Sequence, residues 1–171
     1  MKKIFVSAMF LVLLLIQSIS FASSSKVVTV VHYNTKDISP AVSAVMGEEI
    51  GNIVNDNLRK YGIEADTVGN AWETFAKDLD KSTLSKAETY FKWQNVLASS
   101  YDTTVNVTID KFNEKDGYAA VSARMSIQRA SSNMNAMSSF SSSRMIKGSK
   151  GEALKLVLGE LTENLSYMLK D

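Results

Sequence analysis

His32 is the single histidine of the chain, and there is no cysteine. A transition-metal centre would have to be assembled almost entirely from carboxylates, because the thiolate and imidazole donors such sites favour are missing. Glu48-Glu49 and Asp78/Asp80 are close acidic pairs. Adjacent residues on a helix point about 100° apart, so Glu48 and Glu49 do not converge on one substrate. No serine stands in a nucleophile motif that could recruit His32, so acyl-transfer chemistry has no sequence basis. Gly47 and Gly51 have neither phosphate-loop nor dinucleotide spacing. Their four-residue spacing suits a helix that approaches another backbone closely. No catalytic residue, metal ligand or cofactor-binding residue is assigned, and the chain reads as a protein that is not an enzyme.

The elements that would position these residues follow from periodicity. KVVTVVHY, Lys26 to Tyr33, is an almost continuous apolar run, as in a strand buried on both faces. His32 within it is expected in the core or at a strand end. Ser39-Pro40 opens a long helix, with serine as N-cap and proline at N1. Its stripe is Val42, Val45, Met46, Ile50, Ile53, Val54, Leu58 and Tyr61, and Gly62 stops it. Ile63 to Val68 forms a second strand, making a parallel crossover. Asn70-x-x-Glu73 and Ser85-x-x-Glu88 are capping boxes that start two shorter helices. Tyr101 to Phe112 alternates as a strand, with Tyr101, Thr103, Val105, Val107 and Ile109 on one face. A loop from Asn113 to Gly117 ends in Asp-Gly and signals a hairpin. The return strand directs Ala119, Val121, Ala123, Met125 and Ile127 to one side. Ser149-x-x-Glu152 caps a last amphipathic helix with the stripe Leu154, Val157, Leu158, Leu161, Leu165, Met168 and Leu169. The fold class is α+β: a single mixed sheet in the order β-α-β-α-α-β-β-β-α, with helices packed on it.

The segment SSNMNAMSSFSSSRMIKG between hairpin and last helix carries seven serines in its first thirteen residues. Ser131-Ser132-Asn133 makes a turn. From Met134 the residues Met134, Ala136, Ser138, Phe140, Ser142, Arg144 and Ile146 repeat with period two, so a third antiparallel strand is expected, weakly packed and open on one face. An open strand at a sheet edge can pair with another chain's backbone. The candidate partner-binding residues are therefore Met134, Met137, Ser139, Phe140, Ser141 and Met145, with Phe140 as apolar anchor.

The amino terminus supplies the address. Lys2-Lys3 precede an apolar run from Ile4 to Ile19, and Ser20-Phe21-Ala22 places small residues at −3 and −1 of a cleavage site. That is the pattern of a secretory signal peptide cut after Ala22. Residues 1–22 are thus expected to be removed, and residues 23–171 to form one periplasmic or secreted domain without a membrane span. Removing 22 of 171 residues leaves 149, enough for one hydrophobic core. The 19 basic residues less the two leader lysines leave 17 against 18 acidic, which offers no basic footprint for nucleic acid. With no cysteine there are no disulfides, so the core alone must carry stability.

The stretches STLSKAETYFKWQNVLASSYDTTVNVTIDKF, YAAVSARMSIQRA with SSFSSSRMIKG, and EALKLVLGELTENLSYML, joined to KVVTVVHY and its helix, resemble a bacterial envelope group. That group includes CsgG-like curli-secretion proteins, LpoB-like activators of peptidoglycan synthases and TolB N-terminal-like domains. The resemblance lies in the pattern of elements. The lipobox cysteine of those lipoproteins is absent, and Tyr101-Asp102-Thr103-Thr104-Val105 lacks their usual Ala-Asp start. The resemblance implies a small module that binds an envelope protein or itself. An alternative is a small-molecule or lipid-binding module lined by Trp72, Phe75, Tyr90, Phe91 and Trp93.

Overall fold

The computed structural model describes residues 26–36, 38, 40–69, 86–129 and 138–170. The expected leader, the helix after Asn70, the Ser39 cap, and Trp72, Phe75, Met134 and Met137 lie outside them.

Five strands form one sheet: β1 (Val27–Tyr33), β2 (Ala65–Gly69), β3 (Thr103–Lys115), β4 (Tyr118–Arg129) and β5 (Ser138–Lys147). Among the described residues three helices join them: α1 (Pro40–Arg59), α2 (Lys86–Ala98) and α3 (Lys150–Leu169). The spatial order is β2-β1-β3-β4-β5. β1 runs parallel to both β2 and β3, while β3, β4 and β5 form an antiparallel meander. The sheet is therefore mixed, as the element order requires.

α1 and α3 cover one face. Val27 and Val31 of β1, Val105, Val107 and Ile109 of β3, and Val121, Ala123 and Met125 of β4 meet Ile50, Val54, Leu58, Leu158, Leu161 and Leu165 there. Each such large aliphatic group contributes about 1.5–3 kcal/mol by leaving water. The opposite face of β1 presents Val28 and Val30, which pack under Trp93 and Leu97 of α2. An apolar run with no alternation is what a strand between two layers needs.

α1 differs from its expected stripe at its first turns. Val42 and Val45 are 47% and 73% exposed. On an ideal helix Val45 stands about 140° around from Ile50, so it cannot share the buried face. Buried Gly51 lets α1 settle onto β2, where its Cα lies against Thr67. Asn55 locks that approach. Its amide donates to the Ala65 carbonyl (2.9 Å) and its oxygen accepts from the Thr29 hydroxyl (2.7 Å). The helix ends at Gly62 in a positive-φ turn (78°), with Ile63 N–H bonded to Leu58 O and Gly62 N–H to Arg59 O. That is the Schellman arrangement expected of a C′ glycine.

β3 departs from simple alternation twice. Tyr101 precedes the strand and packs with the Trp93 cluster, on the face opposite Thr103 and Val105. The residues just before a strand need not keep its pleat. Further on, the pairing with β4 slips between Ile109 and Lys111, leaving Asp110 as an extra residue. This bulge restores Phe112 to the core face, where Lys150 lies over its ring at 5.0 Å. Asn113, Glu114 and Lys115 continue the strand where a loop was expected. The turn is only Asp116-Gly117, both with positive φ (54° and 75°), as a two-residue hairpin with right-handed strand twist demands. At α3 the Ser149/Glu152 capping box is present, as its sequence spacing predicts.

Candidate interaction edge

β5 pairs with β4 without a break, from Tyr118↔Lys147 to Ile127↔Ser138, and forms one edge of the sheet. Its far side has no strand partner among the described residues. Side chains alternate across it. Phe140 and Ile146 turn toward α3 and are partly buried against the core. Ser142 is buried on that side and donates to Glu160 Oε2 (3.0 Å), which also accepts from Arg144 Nη2 at 2.6 Å. The Ser142 and Arg144 hydrogen bonds hold the Glu160 carboxyl below the ordinary glutamate range. On the other face Ser139, Ser141, Ser143 and Met145 are exposed, Met145 at 70%.

The structure thus brings Ser139, Phe140, Ser141 and Met145 onto one strand, but on two faces. Met145 is the exposed apolar group, whereas Phe140 is half covered by α3. The Ser142–Arg144–Glu160 group is not visible in the sequence, because its partners lie 16 and 18 residues apart on different elements.

The open face continues onto β4 and β3 as a polar surface. Arg124 Nε and Nη2 grip the two carboxylate oxygens of Asp110 at 2.7 and 2.8 Å, and Asn34 Nδ2 donates to Oδ1 at 3.2 Å. The Arg124 hydrogen bonds keep Asp110 ionised well into acid. His32 Nε2 stands 3.3 Å from Asn106 Oδ1. Burial is the larger influence on His32 and lowers its pKa, while the Asn106 contact opposes it. The buried amides Gln94 Nε2 and Asn106 Nδ2, and Gln128 Oε1, have no hydrogen-bond partner among the described residues.

Of the aromatic residues considered for a ligand site, Trp93 is buried with Val28, Val30 and Leu97 as part of the α2 core. Tyr90 and Phe91 belong to α2, but their side chains lie outside the description. A separate open cleft of about 730 Å³ lies where β1 begins and α1 and α3 end. Lys26, Arg59, Arg129 and Lys170 line it together with Glu64, Asp66 and Asp102. Arg129 Nη2 caps the end of α3 through the Met168 carbonyl (2.8 Å). The mixed charge of this cleft selects no single ligand sign. Among the described residues no three His, Asp or Glu side chains converge as metal ligands, and no helix is long and apolar enough to cross a membrane.

No protein-family model matches the chain, and no curated protein matches it in sequence. Solved structures share its fold. The PelC dodecamer from Paraburkholderia phytofirmans superposes with a TM-score of 0.55 at 13% identity, covering 86% of this chain and 91% of that one. A point variant of that dodecamer gives 0.51 at 13% identity, covering 81% and 85%. Lipoprotein GNA1162 from Neisseria meningitidis has a TM-score of 0.45 at 12% identity, covering 83% of this chain and 99% of its own. The chain therefore has the α+β architecture of bacterial PelC; at this identity the fold is what the two share.

Proposed function

We propose that this protein is a non-enzymatic accessory protein of the bacterial periplasm that works by associating with copies of itself. The observation that carries this reading is the fold held in common with PelC, whose solved form is a dodecamer. The long open edge of β5 and its exposed Met145 supply a surface suited to assembly. The leader sequence supplies the compartment. Kinship with the CsgG-like, LpoB-like and TolB N-terminal-like group fits the same element order and belongs to this proposal. In it the polar face and the charged cleft serve recognition, not catalysis.

Two measurements on one preparation test the reading. The chain is expressed with its own leader in a Gram-negative host and recovered by osmotic shock. Light scattering then gives its mass in solution. The expected outcome is a protein beginning at Ser23, in the periplasmic fraction, at a multiple of the monomer mass. A monomer throughout the micromolar range, or a protein retained in the cytoplasm, overturns it.

A further inference from the structure

We infer that β5 pairs antiparallel with β5 of a second copy across a two-fold axis at Ser143, joining two five-stranded sheets into one. This rests on the self-association reading above and assigns it a surface and a register.

The argument starts from what a sheet edge must do to stay single. Edges are protected by shortness, proline, bulges or centrally placed charge. β5 is ten residues long, contains no proline, and pairs with β4 in unbroken register. Its central cation, Arg144, is already engaged by Glu160 at 2.6 Å. Lys147 stands at the very end of the strand. Across the middle, Ser139, Ser141 and Ser143 offer little bulk to obstruct an approaching backbone. The opposite edge of the sheet, β2, is only five residues long.

The pleat limits the register. A two-fold axis perpendicular to the sheet places residues of the same face opposite each other, so the axis must fall between the two copies of one residue. An axis at Arg144 sets two guanidinium groups face to face. An axis at Ser142 sets Phe140 against the partner's Arg144, and one at Ser141 sets it against the partner's Ser142. An axis at Ser143 sets Phe140 against the partner's Ile146, an aromatic group opposite a β-branched one. It also sets Arg144 against the partner's Ser142, Met145 against the partner's Ser141, and Lys147 against the partner's Ser139. No like charges stand directly opposite one another, each Arg144 staying held by its own Glu160, and apolar meets apolar on the face shielded by α3. This register also pairs every residue from Ser139 to Lys147. The occupant is therefore a second copy of this chain.

The absence of cysteine makes the register directly readable. Ser139→Cys, Ser141→Cys and Ser143→Cys each place one thiol on the exposed face, away from the core. Directly opposite residues in an antiparallel pair have Cα atoms about 4.5–5.5 Å apart, within disulfide range. In the proposed register the Cα atoms of Ser141 in the two copies would be about 14 Å apart and those of Ser139 about 27 Å apart, from the rise per strand residue. Mild oxidation should convert most of Ser143→Cys to a disulfide-linked dimer on a non-reducing gel and leave the other two variants monomeric. Light scattering on the same reduced samples separates the two claims. An assembled protein in which Ser143→Cys stays uncrosslinked, or in which Ser141→Cys links as well, overturns the β5 register and leaves self-association standing. A monomer with no crosslink overturns both.

Discussion

His32 shows how one position in an apolar strand acquires a physical consequence. Burial lowers its pKa from 6.5, and the bond to Asn106 only partly opposes this. The unfolded chain therefore binds a proton at a higher pH than the folded one does. Above about pH 6.5 both states are neutral, and His32 adds no pH dependence. As pH falls below that value, the unfolded state gains the proton first and stability declines toward the folded pKa. Asp110 has the other sign of charge, and its lowered pKa keeps its contribution intact until far more acidic conditions. Urea unfolding between pH 7 and 5 should show falling stability in the native chain and a flatter profile in His32→Gln. An unchanged slope in the variant would remove His32 from the account.

Elements meet through the residues that separate them, and two helical glycines show this in opposite directions. A Cβ added at Gly51 would collide with the Thr67 side chain on β2, whereas one added at Gly159 of α3 meets nothing within 4 Å. Alanine favours a helix over glycine by about 1 kcal/mol, and overpacking costs about 1–3 kcal/mol. Gly159→Ala should raise the urea midpoint and Gly51→Ala should lower it, with the m-value constant in both. Equal shifts would mean that α1 does not rest on β2 as described. The sequence disclosed Gly51 as a place of close approach, together with the element order, the Gly62 stop, the Ser149/Glu152 cap and the Asp-Gly hairpin. All of these are local signals. What it hid depends on tertiary geometry: the Asp110 bulge, the turn of Tyr101 to the α2 face, and the exposure of Val42 and Val45. The serine-rich strand was legible from alternation alone. The division of its candidate residues between two faces, and the burial of Ser142 beside Glu160, needed the position of α3.

At the scale of the molecule, the strand order places β1 between β2 and β3, and it meets β3 late. Val27 sits beside Thr103 in the parallel ladder, although α1, β2 and α2 lie between them in sequence. β3, β4, β5 and α3, by contrast, follow one another without a crossover. Local contacts close quickly, and a long loop must be closed before a distant pairing is rewarded. Pulse-labelling hydrogen exchange during refolding should protect β3 and β4 amides before those of β1. Simultaneous protection would refute that sequence of events. In a chain exported amino terminus first, as the proposed leader implies, the most apolar strand is also the first to leave the translocation channel. The β3-facing edge of Val27 to Val31 then stays unpaired, and prone to aggregation, until residues beyond Thr103 have followed. The parallel pairing of β1 with β3 thus leaves a newborn chain of this topology with an open apolar edge for a holding chaperone to guard, although that same contact stabilises the finished one.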